Sequence, residues 1–505
     1  MLRKIRLTFA IVCFALITLL FLDFSGTLHG WFGWLAKIQF LPALLALNVG
    51  VVVFLIILTW VFGRIYCSVI CPLGVFQDII AWFGKKTGSR KKLPYNYSPA
   101  LSVLRYSMLG IFIIALVAGL GSLAALLAPY SSYGRIANNL FQPLWQWGNN
   151  FFAYLAERAD SYAFYETEVW IKSLPTFIIA ILTTVVLIVL AGRNGRTYCN
   201  TICPVGTVLG FLSRYSLFRI TIDTNKCNSC TLCSRHCKAS CIDSKNHTID
   251  YSRCVVCMDC LEHCKHHAIS YKYIPLTSKN PTVSNKQSVK EQTANTNGNR
   301  RSFLTATALV ASTALLKAQE KKVDGGLAVI EKKKIPNRST PILPPGSQSA
   351  KHMAQHCTAC QLCVSVCPNQ VLRPSTDLQK LMQPEMSYER GYCRPECNKC
   401  SEVCPTGAIQ LTDLATKSST QIGHAVWIKE NCIPLTDGVE CGNCARHCPS
   451  GAIQMIPSDP TNEESPKIPA VNTERCIGCG ACENLCPSRP FSAIYVEGHE
   501  RHRII

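Results

Sequence analysis

Cys357-Thr358-Ala359-Cys360-Gln361-Leu362-Cys363-Val364-Ser365-Val366-Cys367-Pro368 sets three cysteines at every third position, a fourth four residues on, and a proline behind it. Cys476-Ile477-Gly478-Cys479-Gly480-Ala481-Cys482-Glu483-Asn484-Leu485-Cys486-Pro487 repeats the pattern. A loop this tight aims its first three thiolates at one centre, and the proline turns the chain so that the fourth reaches another. This is the spacing by which a chain holds cubane iron–sulfur clusters in pairs. Twenty-four of the thirty cysteines fall into six quartets of this general kind.

Working outward, two more quartets lie between that pair: Cys393, Cys397, Cys400, Cys404, then Cys432, Cys441, Cys444, Cys448. Pro405 and Pro449 again follow the closing cysteine, and Pro405–Ile409 and Pro449–Ile453 read as loops leading into short strands. Upstream stand Cys227, Cys230, Cys233, Cys237 and Cys254, Cys257, Cys260, Cys264, with Lys238 and Lys265 in place of proline. Crossed ligation there predicts one centre on Cys227, Cys230, Cys233 and Cys264, and another on Cys254, Cys257, Cys260 and Cys237. In 351–505 the pairing is nested or sequential; spacing leaves both open. Lys238 and Lys265 read as surface charges that ease cluster reduction, and Cys241 as a bystander. Disulfides are disfavoured, because cysteines two or three apart reach one metal centre more easily than separate partners. Zinc prefers two CxxC pairs over a CxxCxxCxxxC run. The expectation is six [4Fe-4S] clusters and, lacking CxxCH, no haem.

At 505 residues the chain exceeds one ordinary core, and its first 190 residues are far more apolar than the rest. Four stretches read as membrane-spanning helices: 7–22, 38–62, 107–128 and 174–191. Arg3, Lys4 and Arg6 precede the first; Arg64, Lys85, Lys86, Arg90, Lys91, Lys92 and Arg105 lie between the second and third; Arg193, Arg196, Arg214 and Arg219 follow the fourth. The loops at 23–37 and 129–173 are poor in Lys and Arg, so the positive-inside rule puts both ends of the bundle in the cytoplasm. Trp31, Trp34, Trp145 and Trp147 read as interfacial anchors or amphipathic turns, with ordinary packing an equal alternative. The formal charge of +20 is explained by this topology and not by nucleic-acid binding.

The bundle repeats itself. Gly63-Arg64-Ile65-Tyr66-Cys67-x3-Cys71-Pro72-Leu73-Gly74 recurs as Gly195-Arg196-Thr197-Tyr198-Cys199-x3-Cys203-Pro204-Val205-Gly206. Duplicated elbows would gather Cys67, Cys71, Cys199 and Cys203 into a redox or metal site, against the blander reading of two structural turns. A polar linker at 275–298 leads to Asn299-Arg300-Arg301-Ser302-Phe303-Leu304 and a short apolar run, which reads as an internal twin-arginine export signal. No Walker loop, dinucleotide fingerprint or nucleophile elbow is present.

Residues 1–270, with the paired YCxxxCP elbows and a following two-quartet module, resemble the NapH-type membrane ferredoxins of periplasmic nitrate reduction. Residues 299–505, with the twin-arginine start and four quartets, resemble their NapG-type partner. The resemblance implies a quinol dehydrogenase component passing electrons to a periplasmic reductase or cytochrome, in which Cys67, Cys71, Cys199 and Cys203 serve electron transfer. It also implies a quinone as a candidate further cofactor. The expected fold is a bundle of four transmembrane helices (1–215) followed by α+β ferredoxin-like modules. These are 216–274, then the linker 275–298, the export segment and tether 299–350, and the four-cluster domain 351–505. The expected place is the bacterial inner membrane, multi-pass, with 216–298 cytoplasmic and 350–505 periplasmic. The expected partners are membrane lipid, the quinol pool and a periplasmic redox protein, and no nucleic acid. A redox sensor or metalloenzyme maturation factor is the alternative; a wholly cytoplasmic polyferredoxin is a third.

Overall fold

The computed structural model describes residues 2–23, 26–87, 95–161, 163–275 and 331–505. The twin-arginine segment and nearly all of the linker lie outside the described residues.

The expectation of four spanning helices is corrected. Two described helices are long and apolar enough to cross a membrane, Leu2–Leu22 and Leu174–Asn194, each of 21 residues. Only 28% and 22% of their apolar windows are buried, so their outward faces are greasy rather than packed. The stretch 38–62 breaks into Phe40–Leu45 and Val49–Phe62. Leu47 takes a left-handed φ of 53°, and the Asn48 side chain accepts the Val51 N–H (3.3 Å) to start the second helix. The stretch 107–128 breaks at Gly119 (φ 72°) into Ser102–Val117 and Gly121–Leu127. The 14-residue helix Val49–Phe62 rises roughly 21 Å, short of a roughly 30 Å hydrocarbon layer. Hydropathy alone could not register these breaks, because the residues that turn the chain are themselves apolar or small.

Beyond the bundle, the strands form five two-stranded antiparallel sheets among the described residues. Phe218–Ile222 pairs with Ile269–Tyr273, and Thr420–Trp427 pairs with Ile494–Ile504. Each of these joins the start of a two-quartet stretch to its end, folding the intervening cysteines back on themselves. Ile453–Asp459 does follow the Pro449 loop and pairs with Asn462–Val471. No strand follows Pro405–Ile409; the helix Leu414–Ser419 comes next.

The two cysteine-bearing parts sit at opposite ends of the long helices. At the start of Leu2–Leu22, Arg3 pairs with Asp259 (2.8 Å) and with Glu262. Near its other end, Phe21 packs beside Gly134, whose Cβ position is 2.3 Å from Cys360 O. Ahead of Leu174–Asn194, Trp170 Nε1 donates to Gln370 Oε1 (2.5 Å); behind it, Arg196 N–H donates to Lys238 O (2.8 Å). One continuous apolar core runs from Ile17 through the bundle to Val496, while Ile220, Ile242 and Ile269 centre a separate one. Trp31, Trp34, Trp145 and Trp147 are exposed.

Candidate iron–sulfur centres

In the four CxxCxxC loops, the residues before and after the second cysteine are left-handed: Ser229 and Thr231, Val256 and Met258, Ala359 and Gln361, Gly478 and Gly480. Six of those eight are not glycine, and Val256 is β-branched, where a positive φ is a true outlier. The alternation turns successive N–H groups toward the loop's concave side, an anion-binding nest. A five-residue helix then carries the third cysteine inward, as in Leu362–Val366 and Ala481–Leu485. The middle quartets, with wider spacing, lack this winding.

The antiparallel closures decide the pairing. One cavity is lined by Cys227, Cys230, Cys233 and Cys264, and another by Cys237, Cys254, Cys257 and Cys260. This is the crossed arrangement expected from sequence. In the last domain, one cavity gathers Cys393, Cys397, Cys400 with Cys367; a second Cys432, Cys441, Cys444 with Cys486; a third Cys476, Cys479, Cys482 with Cys448. Cys404 is the outside cysteine that acts electrostatically on all of Cys357, Cys360 and Cys363. The arrangement is therefore sequential, first quartet with second and third with fourth.

The donor sets fit cubane clusters. Sulfurs receive backbone N–H groups: Ala359 to Cys357 and Ile409 to Cys404 at 3.4 Å, Ala452 to Cys448 and Ala493 to Cys486 at 3.3 Å. Burial pushes the Cys257, Cys360 and Cys479 thiols up to about 12, so a cationic iron centre is what would stabilise them as thiolates.

Two readings change. Cys241 is not remote: it is 1% exposed, lines the Cys237 cavity, and its Sγ lies 3.5 Å from Cys237 Sγ. Lys238 is no solvated charge either. It bridges Asp78 (3.6 Å) and Asp259 (3.0 Å), fastening the first module to the bundle. Burial opposes the charge on Asp78, yet Arg196, Lys238 and Arg6 hold its carboxyl well below the usual range. His236 and His263, each next to its quartet's fourth cysteine in the chain, stack with ring centroids 3.8 Å apart.

The elbows do come together, and in a reciprocal way that the repeat foretells. Cys67, Cys71, Cys199 and Cys203 are free, buried and electrostatic neighbours of one another. Arg64 of the first elbow donates to Cys199 O (3.2 Å) and Asn200 Oδ1 (2.9 Å), with Cys67 Sγ 3.8 Å away. Arg196 of the second donates to Cys67 O (2.5 Å) and Asp78 (2.8 and 2.9 Å). A Cβ on Gly74 or Gly206 would lie 2.2 Å from Cys67 O or Cys199 O, which is why both repeats end in glycine. Gln77 Nε2 donates to Cys199 Sγ (3.2 Å). Arg64, Arg105 and Arg196, counted in sequence as exposed topology markers, are buried. The signal that could have found them was the Gly-Arg-x-Tyr-Cys phrase in both repeats.

On the far side, Arg135 and Tyr130 of the buried helix Pro129–Ile136 lie between the Tyr198 elbow and Cys360. A π-helical turn, Ala137–Phe141, then aims Asn138 and Asn139 at Gln361 Oε1 (3.1 and 2.9 Å). Lys172 Nζ donates to Asn138 Oδ1 (2.9 Å) and Gln142 Oε1 (2.8 Å) and faces Cys367 and Cys363, with no carboxylate among the described residues.

Comparison with known proteins agrees. A 4Fe-4S binding domain family matches residues 44–90 and 174–223, where Cys67, Cys71, Cys199 and Cys203 are the only cysteines. Two 4Fe-4S dicluster domain families match 356–408 with 439–489, and 250–371. The methylamine utilization ferredoxin-type protein MauM of Methylobacillus flagellatus is 32% identical over 168 residues, 32% of this chain and 70% of MauM. Ferredoxin-type protein NapF of Escherichia coli K12 is 26% identical over 164 residues, 32% of this chain and 89% of NapF. The uncharacterized protein MJ0749 of Methanocaldococcus jannaschii is 23% identical over 182 residues, 36% of this chain; the match spans about half of that relative, 54%. No solved structure matches the chain. The chain thus belongs to the ferredoxin-type 4Fe-4S proteins related to MauM, NapF and NapG, whose work is electron transfer.

Proposed function

We propose that this chain is a membrane-anchored electron conduit that takes electrons from the quinol pool and relays them to an extracytoplasmic redox partner. One observation carries the reading: both 21-residue apolar helices run from one cysteine module to the other. With basic Arg3, Lys4 and Arg6 at the first helix start and Arg193 and Arg196 at the second helix end, the 216–274 module belongs on the cytoplasmic side. The 351–505 domain then belongs outside, and the internal twin-arginine segment is the means of its export.

The six quartets would hold six [4Fe-4S] clusters, each of which, when bound, takes up and releases single electrons. The chain's own residues do the rest. The nests and N–H groups hold the thiolates, and Lys238 and Arg3 dock the first module. The elbow thiols Cys67, Cys71, Cys199 and Cys203 lie between the two sets as a further redox station. The partners are lipid, a quinol and, by analogy with the Nap and Mau relatives, a periplasmic reductase or cytochrome.

The test is direct. Anaerobically purified protein in liposomes is mixed with a reduced quinone, and cluster reduction is followed by EPR. Reduction is expected, and quadruple serine substitution of the elbow cysteines should slow it without removing the cubane signals. No reduction by any quinol refutes the conduit. Protease added outside spheroplasts should digest 351–505; protection overturns the topology.

A further inference from the structure

Where the Leu2–Leu22 helix meets the four-quartet domain, Asp23 and His29 form a buried pair, their side chains 3% and 6% exposed. Asp23 Oδ1 accepts the Gly26 N–H (2.9 Å), while Oδ2 accepts the Leu28 N–H (2.8 Å) and faces His29 Nδ1 (3.2 Å). A carboxylate can only accept, so Nδ1 carries the proton, and in the neutral ring Nε2 is a bare lone pair. That Nε2 is buried with no hydrogen-bond partner among the described residues. An enclosed acceptor without a donor calls for one from outside.

The surroundings say which kind. Lys399, between Cys397 and Cys400, packs against Gly26, and Lys399 and Glu402 are the charged side chains that face His29 besides Asp23. A one-electron acceptor site therefore adjoins the vacant proton acceptor. Trp31 and Trp34, 80% and 55% exposed, lie two and five residues beyond His29 in the chain, past the end of the Leu2–Leu22 helix. Burial draws the His29 ring below its ordinary value, with Asp23 opposing and Lys399 assisting, so it stands neutral and ready for a proton.

Resting on the quinol reading above, we propose that Asp23 and His29 form the proton-accepting dyad of a quinol-binding site between the Leu2–Leu22 helix and the Cys367, Cys393, Cys397, Cys400 centre. The quinol hydroxyl donates to His29 Nε2. As the O–H bond breaks, its proton stays on Nε2, and Asp23 stabilises the imidazolium. One electron leaves to an oxidised [4Fe-4S] cluster as the oxidant. His29 would release the proton to the aqueous face, and once that cluster had passed its electron to a neighbouring oxidised [4Fe-4S] centre, the second hydroxyl and electron would follow the same route and the quinone would depart. Each quinol thus yields two protons and two electrons.

The experiment compares the cluster-loaded full chain with His29→Gln in liposomes. Quinol-driven reduction is followed by EPR across pH, with dithionite reduction as the control for intact clusters. General-base removal should slow the quinol reaction by about 100-fold or more while the dithionite spectrum is unchanged. The wild-type rate should rise with pH through a midpoint below about 6.5, and that limb should vanish in the variant. A wild type that quinol reduces, with His29→Gln keeping both rate and limb, overturns the dyad alone. A wild type that no quinol reduces overturns the conduit with it. If His29→Gln does not assemble, photolabelling of wild type by an azidoquinone decides: labels within residues 23–37 support the site, and labels only elsewhere overturn it.

Discussion

Replacing Lys172 with methionine should lower the reduction potentials of the two nearest clusters in the 351–505 domain. Its ammonium is held by two amide oxygens, and burial pushes it down to about 8, against the pull of Cys367 and Cys363. What balances this cation is the net negative charge of a loaded four-thiolate cubane, which grows by one on reduction. At a separation of roughly 8 to 12 Å and an effective dielectric of about 20, Coulomb's law gives about 1.4 to 2 kcal/mol. For one electron that is a fall of roughly 60 to 90 mV. Cys363 belongs to the Cys357, Cys360, Cys404 centre and Cys367 to the Cys393, Cys397, Cys400 centre, so two signals should move and the others stay. The assay is an EPR-monitored redox titration of wild type and Lys172→Met. A change under about 20 mV, or a rise, would refute the charge-balance reasoning.

Other substitutions test the remaining geometry. Cys404→Ser should perturb the centre of Cys357, Cys360 and Cys363 and spare that of Cys393, Cys397 and Cys400, seen as loss or conversion of one EPR signal; nested pairing predicts a different centre. Cys237→Ser should keep the first module's iron, because Cys241 lies within reach, whereas Cys237→Ser with Cys241→Ser should lose one cluster's iron on analysis. Asp78→Asn leaves Arg196 and Lys238 without their shared carboxylate and should weaken docking of the 216–274 module by about 3 to 5 kcal/mol, read by hydrogen exchange at the elbows. Since Asp78 is held below its ordinary range, its contribution to folding is complete above about pH 4 and fades only as pH falls further.

The six quartets and the elbow repeat were legible in the chain because quartet spacing is local to a loop, and the crossed grouping of the first module's cysteines follows from their order. The spanning helices were half legible. Hydropathy sees apolar length, but it does not see the left-handed turns at Leu47 and Gly119 that cut two of the four stretches short. The same blindness to three-dimensional neighbours made Lys238 look like a surface charge, Arg64, Arg105 and Arg196 like loop markers, and Cys241 like a bystander.

Sequence by itself therefore determined that this protein carries soft thiolate ligands in quartets, and it offered four apolar stretches of which the structure kept two as long enough for lipid. Tertiary structure alone decided the rest. Sequential pairing depends on which cysteines meet from segments far apart in the chain, as Thr420–Trp427 meets Ile494–Ile504, and the elbow site and the Asp23–His29 pair depend on which helix ends share a burial site. Long-range closure and the desolvation of charge are set by the whole fold, and no window of residues contains them.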